Sequence, residues 1–389
     1  MIPRLIHNSI LENIRSSGKV VILFGARQVG KTTLAQDIEK QMKNEGSRVV
    51  YLNCDIEENI SVINTTSKTV LTTLLSNVDV LIVDEAQRLD NPGLTLKIIY
   101  DNFKNVKVLA TGSASFDLKN RMSDAMTGRY FDFTLYPFSF MEVLGKGETN
   151  QALFKAKADA LLSQVMLYGL YPDVYQLNTP EQKQQALSRI VDSYLFKDIL
   201  EFQKVKNSQI IRDLTKALAY QIGSEVSETE LANRLKIDRK TILSYIDILE
   251  KTYVIVKVRP FSKNPRREIG KKNKIYFTDL GIRNSLIGDF NPINLRTDAG
   301  AMWENFLIIE RLKGYANINQ KLLNFNFWRS YAGAEVDYLE KRINHDIEAF
   351  EFKFGNGNLT KGTRSFTKEY NVPVKLFNTQ NYLDFLQVN

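Results

Sequence analysis

Gly25-Ala26-Arg27-Gln28-Val29-Gly30-Lys31-Thr32 reads GxxxxGKT. The apolar run Val20-Val21-Ile22-Leu23-Phe24 precedes it, and a helix-compatible segment from Thr33 to Lys43 follows. Strand, glycine loop and helix form the context in which this motif carries phosphate chemistry. The loop's N–H groups and the helix N-terminus make a nest for phosphate oxygens. On this reading Gly25, Ala26, Arg27, Gln28, Val29, Gly30, Lys31, Thr32 and Thr33 contact the nucleotide. Lys31 reaches the β- and γ-phosphates and the Thr32 hydroxyl ligates Mg²⁺, so ATP and Mg are the expected ligands.

The strands that follow extend the pattern. Arg48 to Asn53 reads as a second buried strand. Asp79 to Glu85 is a third, and its continuous apolar run suits a parallel strand covered on both faces. It ends in Asp84-Glu85, where a doubly wound sheet places its site. Asp84 is expected to hold the Mg²⁺ shell and Glu85 to polarise the attacking water. Asn105 to Ala110 is a fourth strand and runs into Thr111-Gly112-Ser113-Ala114-Ser115. Thr111 and Ser113 are both candidates to bond the γ-phosphate or the lytic water; a helix N-cap at Ser113 or Ser115 is an equal reading. Tyr130 to Leu135 is a fifth strand, preceded by Gly128-Arg129. Arg129 is either a finger for a neighbouring subunit's γ-phosphate, which implies a homo-oligomer, or a structural ion-pair residue.

Bulk properties narrow the remaining classes. The length suits two or three domains with their own cores. Lys and Arg outnumber Asp and Glu by 52 to 44, a balance that permits a nucleic-acid partner without requiring one. A single cysteine, Cys54, excludes an intrachain disulfide and reads as a buried inert thiol. His7 and His345 are too few for a multi-histidine zinc site. No apolar stretch is long enough for a bilayer and the N-terminus lacks a signal-peptide pattern, so a cytoplasmic protein without a membrane partner is expected.

Beyond an ATPase domain at 1–145, residues 146–224 read as a helical connector or lid, broken at Gly169-Leu170-Tyr171-Pro172. Residues 225–295 carry a short helix at Thr229–Leu235, a second at Arg239–Lys251 and strands at Val254–Val258 and Lys274–Thr278. The loop between those strands holds Lys263, Arg266, Arg267, Lys271, Lys272 and Lys274 against one acid, Glu268. Helix, turn, helix and basic wing is a winged-helix pattern, with Arg239, Lys240 and Ser244 projecting from the second helix. It serves DNA or RNA through phosphate contacts, or a protein partner. Residues 296–389 read as a helix from Ala301 to Lys313 carrying Glu304, then strands. Alternation places Glu335 with Asp337, and Glu351 with Lys353, opposite Phe350, Phe352 and Phe354. A hairpin then converges Asp337, Glu351 and Lys353, a set able to bind Mg²⁺ and act on water.

Taken together, Gly25 to Thr32, Asp84-Glu85-Ala86-Gln87, Thr111-Gly112-Ser113 and Gly128-Arg129 occur with several further stretches. These are Leu135-Tyr136-Pro137-Phe138-Ser139-Phe140-Met141-Glu142, Gly169-Leu170-Tyr171-Pro172, Trp303-Glu304-Asn305-Phe306 and Ala334-Glu335-Val336-Asp337. In this combination the chain resembles the prokaryotic AAA-type ATPases fused to an uncharacterised C-terminal domain. The resemblance implies an α/β architecture: a P-loop sheet domain, then connector, winged helix and C-terminal α/β module. The last module also resembles restriction-endonuclease-like nucleases, with Glu304 matching their helix acid and Asp337, Glu351 and Lys353 their D…ExK core. The expected activity is ATP hydrolysis that moves the C-terminal half; the alternatives are an ATP-regulated DNA-binding nuclease and a nucleotide-dependent protein-interaction switch.

Overall fold

Five apolar runs between residues 20 and 135 become the first sheet of the molecule. A computed structural model describes residues 2–113, 126–145, 150–195, 208–262, 272–319, 324–330, 332–341 and 347–387. Strands β1 (Val20–Gly25), β2 (Val49–Asn53), β3 (Val80–Asp84), β4 (Lys107–Ser113) and β5 (Tyr130–Leu135) lie in the order β2-β3-β4-β1-β5. Every pairing is parallel. All residues of β1 and β3 are buried, as a sheet covered on both faces requires. Val21 and Leu23 join one core with helices α1 (Ile6–Ser16) and α2 (Lys31–Asn44). Val20, Ile22 and Phe24 face the other core, with Leu71, Leu96 and Ile99. That division is the two-residue period of a strand. The register sets Gly25 beside Ser113 and Val83 beside Ala110, so the glycine loop, Asp84 and Thr111 meet at one edge.

The middle of the chain is helical. Helices Gln151–Tyr168, Pro172–Tyr175 and Pro180–Arg189 are followed by a π-helical turn, Ile190–Leu195. Helices Ser208–Tyr220, Glu228–Leu235 and Arg239–Lys251 then lead into an antiparallel hairpin of β6 (Ile255–Pro260) and β7 (Lys274–Phe277). Ser227 caps the second of these helices, and the Asp238 side chain accepts from Thr241 N at 2.9 Å to cap the third. Ile242, Ile246 and Leu249 are buried, while Arg239 and Lys240 are exposed.

The second sheet runs β11 (Val374–Asn378), β10 (Ile347–Lys353), β9 (Glu335–Lys341), β8 (Asn324–Arg329), β6, β7. Arg259 and Pro260 of β6 pair in parallel with Asn326 and Phe327 of β8. The hairpin and the last strands thus share one sheet across residue 295. A register shift between Asn326 and Trp328 interrupts the β8–β9 ladder. Simple alternation therefore fails in β9: Val336 and Leu339 both pack beneath the helix Lys361–Tyr370, against Phe366. Phe350 and Phe352 lie in the main core, but Phe354 lies past the end of β10 and is exposed, contrary to the pattern expected from sequence.

One helix, Ala299–Asn317, touches both sheets: it meets β5 of the first and β7 and β10 of the second. Met302, Trp303, Phe306, Leu307, Ile308 and Ile309 are all buried, so this helix is apolar around most of its circumference. Phe306 packs edge-on against Phe140 at 5.5 Å, and Trp303 against Tyr382 at 5.5 Å. Across from it, Gly169 has φ +67° and a Cβ there would lie 1.9 Å from Asp279 Oδ1. Gly169→Ala should therefore cost at least about 2 kcal/mol, from left-handed strain plus overpacking. Thermal unfolding checks this; an unchanged midpoint would contradict it.

Candidate functional site

The glycine loop lines a cleft of about 1050 Å³. Gly30, at φ 95°, caps α2, so the helix N-terminus opens into the cleft. Arg27, Gln28, Val29, Lys31, Thr32 and Thr33 line it with Gly30, and Glu85 borders it. The Lys31 ammonium is buried and donates to Gly25 O at 3.2 Å and Ala26 O at 2.8 Å. The far wall comes from Pro3 and Arg4, from Phe138, and from Pro172, Tyr175 and Gln176 of the helical middle of the chain. Phe138 and Tyr175 meet edge to face at 6.4 Å.

Behind the loop, hydrogen bonds fix the two acids of β3. Asp84 is fully buried; Tyr51 Oη donates to its Oδ2 at 2.8 Å and Thr111 Oγ1 donates to its Oδ1. Burial, then the Asp84 bond, raises the Tyr51 pKa, so the phenol remains a donor. Glu85 adopts a left-handed conformation at φ 55°, and its N–H donates to Thr111 Oγ1 at 3.1 Å. Gln87 Nε2 donates to Glu85 Oε2, while Gln87 Oε1 accepts from Ser113 N at 3.2 Å. Thr111 thus organises both acids, and Ser113 contributes its backbone. Ser113 ends β4; Ala114 and Ser115 lie outside the described residues. Cys54 is buried, its thiol pushed up to about 12 by burial and then by Asp84. The Thr32 hydroxyl and Asp84 carboxylate are hard oxygen donors of the kind Mg²⁺ takes.

Arg129 sits at the far end of β5 from the glycine loop and pairs with Asp101 at 3.3 Å. It cannot reach the phosphate site of its own chain. Arg4 escaped the sequence reading altogether. Its guanidinium donates to Glu142 Oε1 at 3.0 Å, Val29 O at 2.8 Å and Tyr136 O at 2.7 Å, and lies 4.9 Å from the Phe138 ring centre. Val29 is 25 residues away in sequence, so no local pattern marks the contact.

The segment after β5 leads from this cleft into the helix Ala299–Asn317. Ser139 and Glu142 form a capping box. Lys313 Nζ donates to Phe138 O at 3.0 Å and to Glu310 Oε1 at 2.7 Å, and Phe140 N donates to Glu310 Oε2 at 2.5 Å. Phe138 N donates to Leu170 O at 3.0 Å, and Leu170 N to Asp279 Oδ2 at 2.7 Å. Burial raises the pKa of both Asp279 and Glu310, with Lys313 opposing it.

At the other end of that helix Glu304, Asp337, Glu351 and Lys353 do gather. Burial, then Glu304 and Glu351, push the Asp337 carboxyl well above the usual carboxylate range. Its Oδ2 accepts from Phe352 N at 2.8 Å. Lys353 Nζ donates to Glu351 Oε1 at 2.6 Å, and burial raises the Glu351 pKa. Lys274, counted with the basic wing from sequence, is instead buried here: it donates to Glu304 at 2.9 Å and to Glu335. Its place at the start of β7, in the shared sheet, turns it inward. Lys272 is exposed; Lys263, Arg266, Arg267 and Lys271 lie outside the described residues. Among the described residues no group of three or more His, Cys, Asp or Glu side chains is arranged to hold a metal ion, and no helix is long and apolar enough to cross a membrane.

Comparison with known proteins agrees with the first sheet. Residues 17–144 match a family described as an AAA domain, residues 159–292 a domain of unknown function (DUF8612) and residues 299–382 another (DUF4143). The uncharacterized protein MJ1544 of Methanocaldococcus jannaschii is 24% identical over 364 residues, 90% of this chain and 78% of that protein. An uncharacterized Haemophilus influenzae protein is 24% identical over 330 residues, 81% of this chain and 80% of its own length. The Walker-type ATPase PABY2304 of Pyrococcus abyssi is 15% identical, with 74% of this chain and 96% of that one covered and a TM-score of 0.48. The parallel five-stranded sheet with its glycine loop is a P-loop ATPase fold, and residues 17–144 match the AAA domain family.

Arg4→Met should destabilise the protein by about 3–5 kcal/mol, since Glu142 is left buried without its cation. Denaturant unfolding measures the loss. The double variant Arg4→Met/Glu142→Gln should recover part of it; no recovery would show that the pair is not what matters.

Proposed function

We propose that this chain is a Mg²⁺-dependent ATPase whose nucleotide cycle repositions its C-terminal half. One observation carries the reading: the Phe138 ring lines the cleft while its carbonyl is held by Lys313 of the helix Ala299–Asn317. A nucleotide that shifts Phe138 or Tyr175 acts directly on that helix. Lys31 neutralises phosphate charge, and Glu85, oriented by Gln87, takes the proton of the attacking water. Thr111 holds Asp84 and the Glu85 backbone in place and is the candidate γ-phosphate sensor; Ser113 is the second candidate. Thr32 and Asp84 would hold Mg²⁺, which when bound supplies charge neutralisation at the transferred phosphate. Arg129, half-buried and paired with Asp101, would have to leave that pair to serve a neighbouring subunit, and this reading includes a homo-oligomer.

The helices at 228–251 with the β6–β7 hairpin are read as a winged helix, supported by the exposure of Arg239, Lys240 and Lys272. DNA is its proposed partner, through phosphate contacts that position without specifying sequence. The nuclease reading has less support, because Lys274 stands among the carboxylates it needs. The protein-interaction switch lacks a specific feature in its favour.

Lys31→Ala should weaken ATP binding about 10- to 100-fold by removing a charge-assisted contact. Glu85→Gln should keep binding and lower turnover about 10²- to 10⁴-fold. Nucleotide titration and phosphate release check both; wild-type turnover in Glu85→Gln would refute its role. Charge reversal at Lys240 and Lys272 should weaken DNA binding and flatten its salt dependence. If the wild type does not bind DNA at low salt, the protein-partner reading replaces this one.

A further inference from the structure

We infer that Lys274 is a built-in counter-cation: its ammonium takes the place a divalent metal would need, making the C-terminal carboxylate cluster a metal-free ionic joint. The inference is independent of the ATPase reading and rests on the geometry around Glu304. Lys274 is 2% exposed, deeper than either of its acidic partners. It donates to Glu304 Oε1 at 2.9 Å and to Glu335 Oε1, and its ammonium lies 5.3 Å from the Phe327 ring centre. Tyr276 Oη donates to the same Glu304 oxygen at 2.5 Å. Glu304 therefore has its inward oxygen taken by an ammonium and a phenol.

The rest of the cluster is satisfied in part from within, although Glu351 Oε2 is buried without a hydrogen-bond partner. Lys353 holds Glu351 at 2.6 Å, and Asp337 accepts a backbone N–H. Arg329 stands 3.8 Å from Glu335 and 3.0 Å from Glu225. Oxygen ligands suited to Mg²⁺ or Mn²⁺ are present, but a divalent ion placed among them would sit against a fixed ammonium that cannot withdraw. Lys274 belongs to β7, Glu304 to the helix Ala299–Asn317, and Glu335 to β9. The ion pairs thus pin the hairpin to the last domain, where a metal-dependent nuclease would need an open coordination site.

The test uses nucleotide-free full-length protein, with thermal unfolding and Mn²⁺ binding by electron paramagnetic resonance. Asp84→Asn serves as background, so that ion held near the glycine loop is not counted. The wild-type cluster should bind no Mn²⁺, and EDTA and MnCl₂ should give the same midpoint. Lys274→Gln removes the counter-charge; its midpoint should fall, and MnCl₂ should raise it again by several degrees with one ion bound. Adding Glu304→Gln should abolish that rescue. Lys274→Arg, which keeps the charge, should remain insensitive to Mn²⁺, and it keeps the test open if Lys274→Gln does not fold. Mn²⁺ bound by the wild type and lost in Glu304→Gln or Asp337→Asn would overturn the inference, as would a folded Lys274→Gln that ignores Mn²⁺.

Discussion

The grip of Lys313 and Glu310 on the backbone of Phe138 and Phe140 is the interaction on which the architecture depends. A buried ion pair is expensive to desolvate, and its worth depends on how fully the remaining donors and acceptors are satisfied. Here Lys313 donates to both a carbonyl and a carboxylate, and both Glu310 oxygens accept. The cost is met by backbone groups that otherwise would be buried without partners. The result is directional: the segment 136–142 after β5 cannot shift without either moving the helix Ala299–Asn317 or leaving those groups unpaired. Arg4 fastens the same segment to the glycine loop through Val29 O and Tyr136 O. The cleft of the glycine loop, the segment 136–142 and the helix Ala299–Asn317 are therefore consecutive links in one hydrogen-bonded structure.

Sequence alone carried the first sheet and its glycine loop well, for physical reasons. A parallel sheet buried on both faces leaves continuous apolar runs, and a phosphate nest leaves glycines at fixed spacing. Both signals are local. The C-terminal half was less legible because its sheet joins β6 to β8 across more than sixty intervening residues, and period-two patterns do not report which strands pair. The register shift falls between Val336 and Leu339, so the alternation that sets Glu335 and Asp337 on one face does not continue to Leu339. Lys274 was misplaced for a related reason. A lysine at the end of a basic loop looks solvated, and only the tertiary pairing with Glu304 and Glu335 reveals it as buried. Tyr175, Glu310 and Lys313 carry no residue-type signature; they resemble ordinary core and helix positions.

The two ends of the helix Ala299–Asn317 invite comparison. One end meets Phe138 beside the cleft; the other carries Glu304 into the ionic joint with Lys274. A nineteen-residue helix packed on most of its surface moves as a rigid body rather than bending. On the proposed reading, motion transmitted at Lys313 would arrive at the hairpin that carries Lys272. On the same reading, a phosphate site and a distant basic surface would be coupled without sharing any residue.

Hydrogen exchange with and without a non-hydrolysable ATP analogue tests that coupling most directly. The account predicts slower exchange in residues 136–142 and 299–317 on nucleotide binding, and no such change in Lys31→Ala. Protection confined to the glycine loop and α2, with the helix Ala299–Asn317 unaffected, would contradict it.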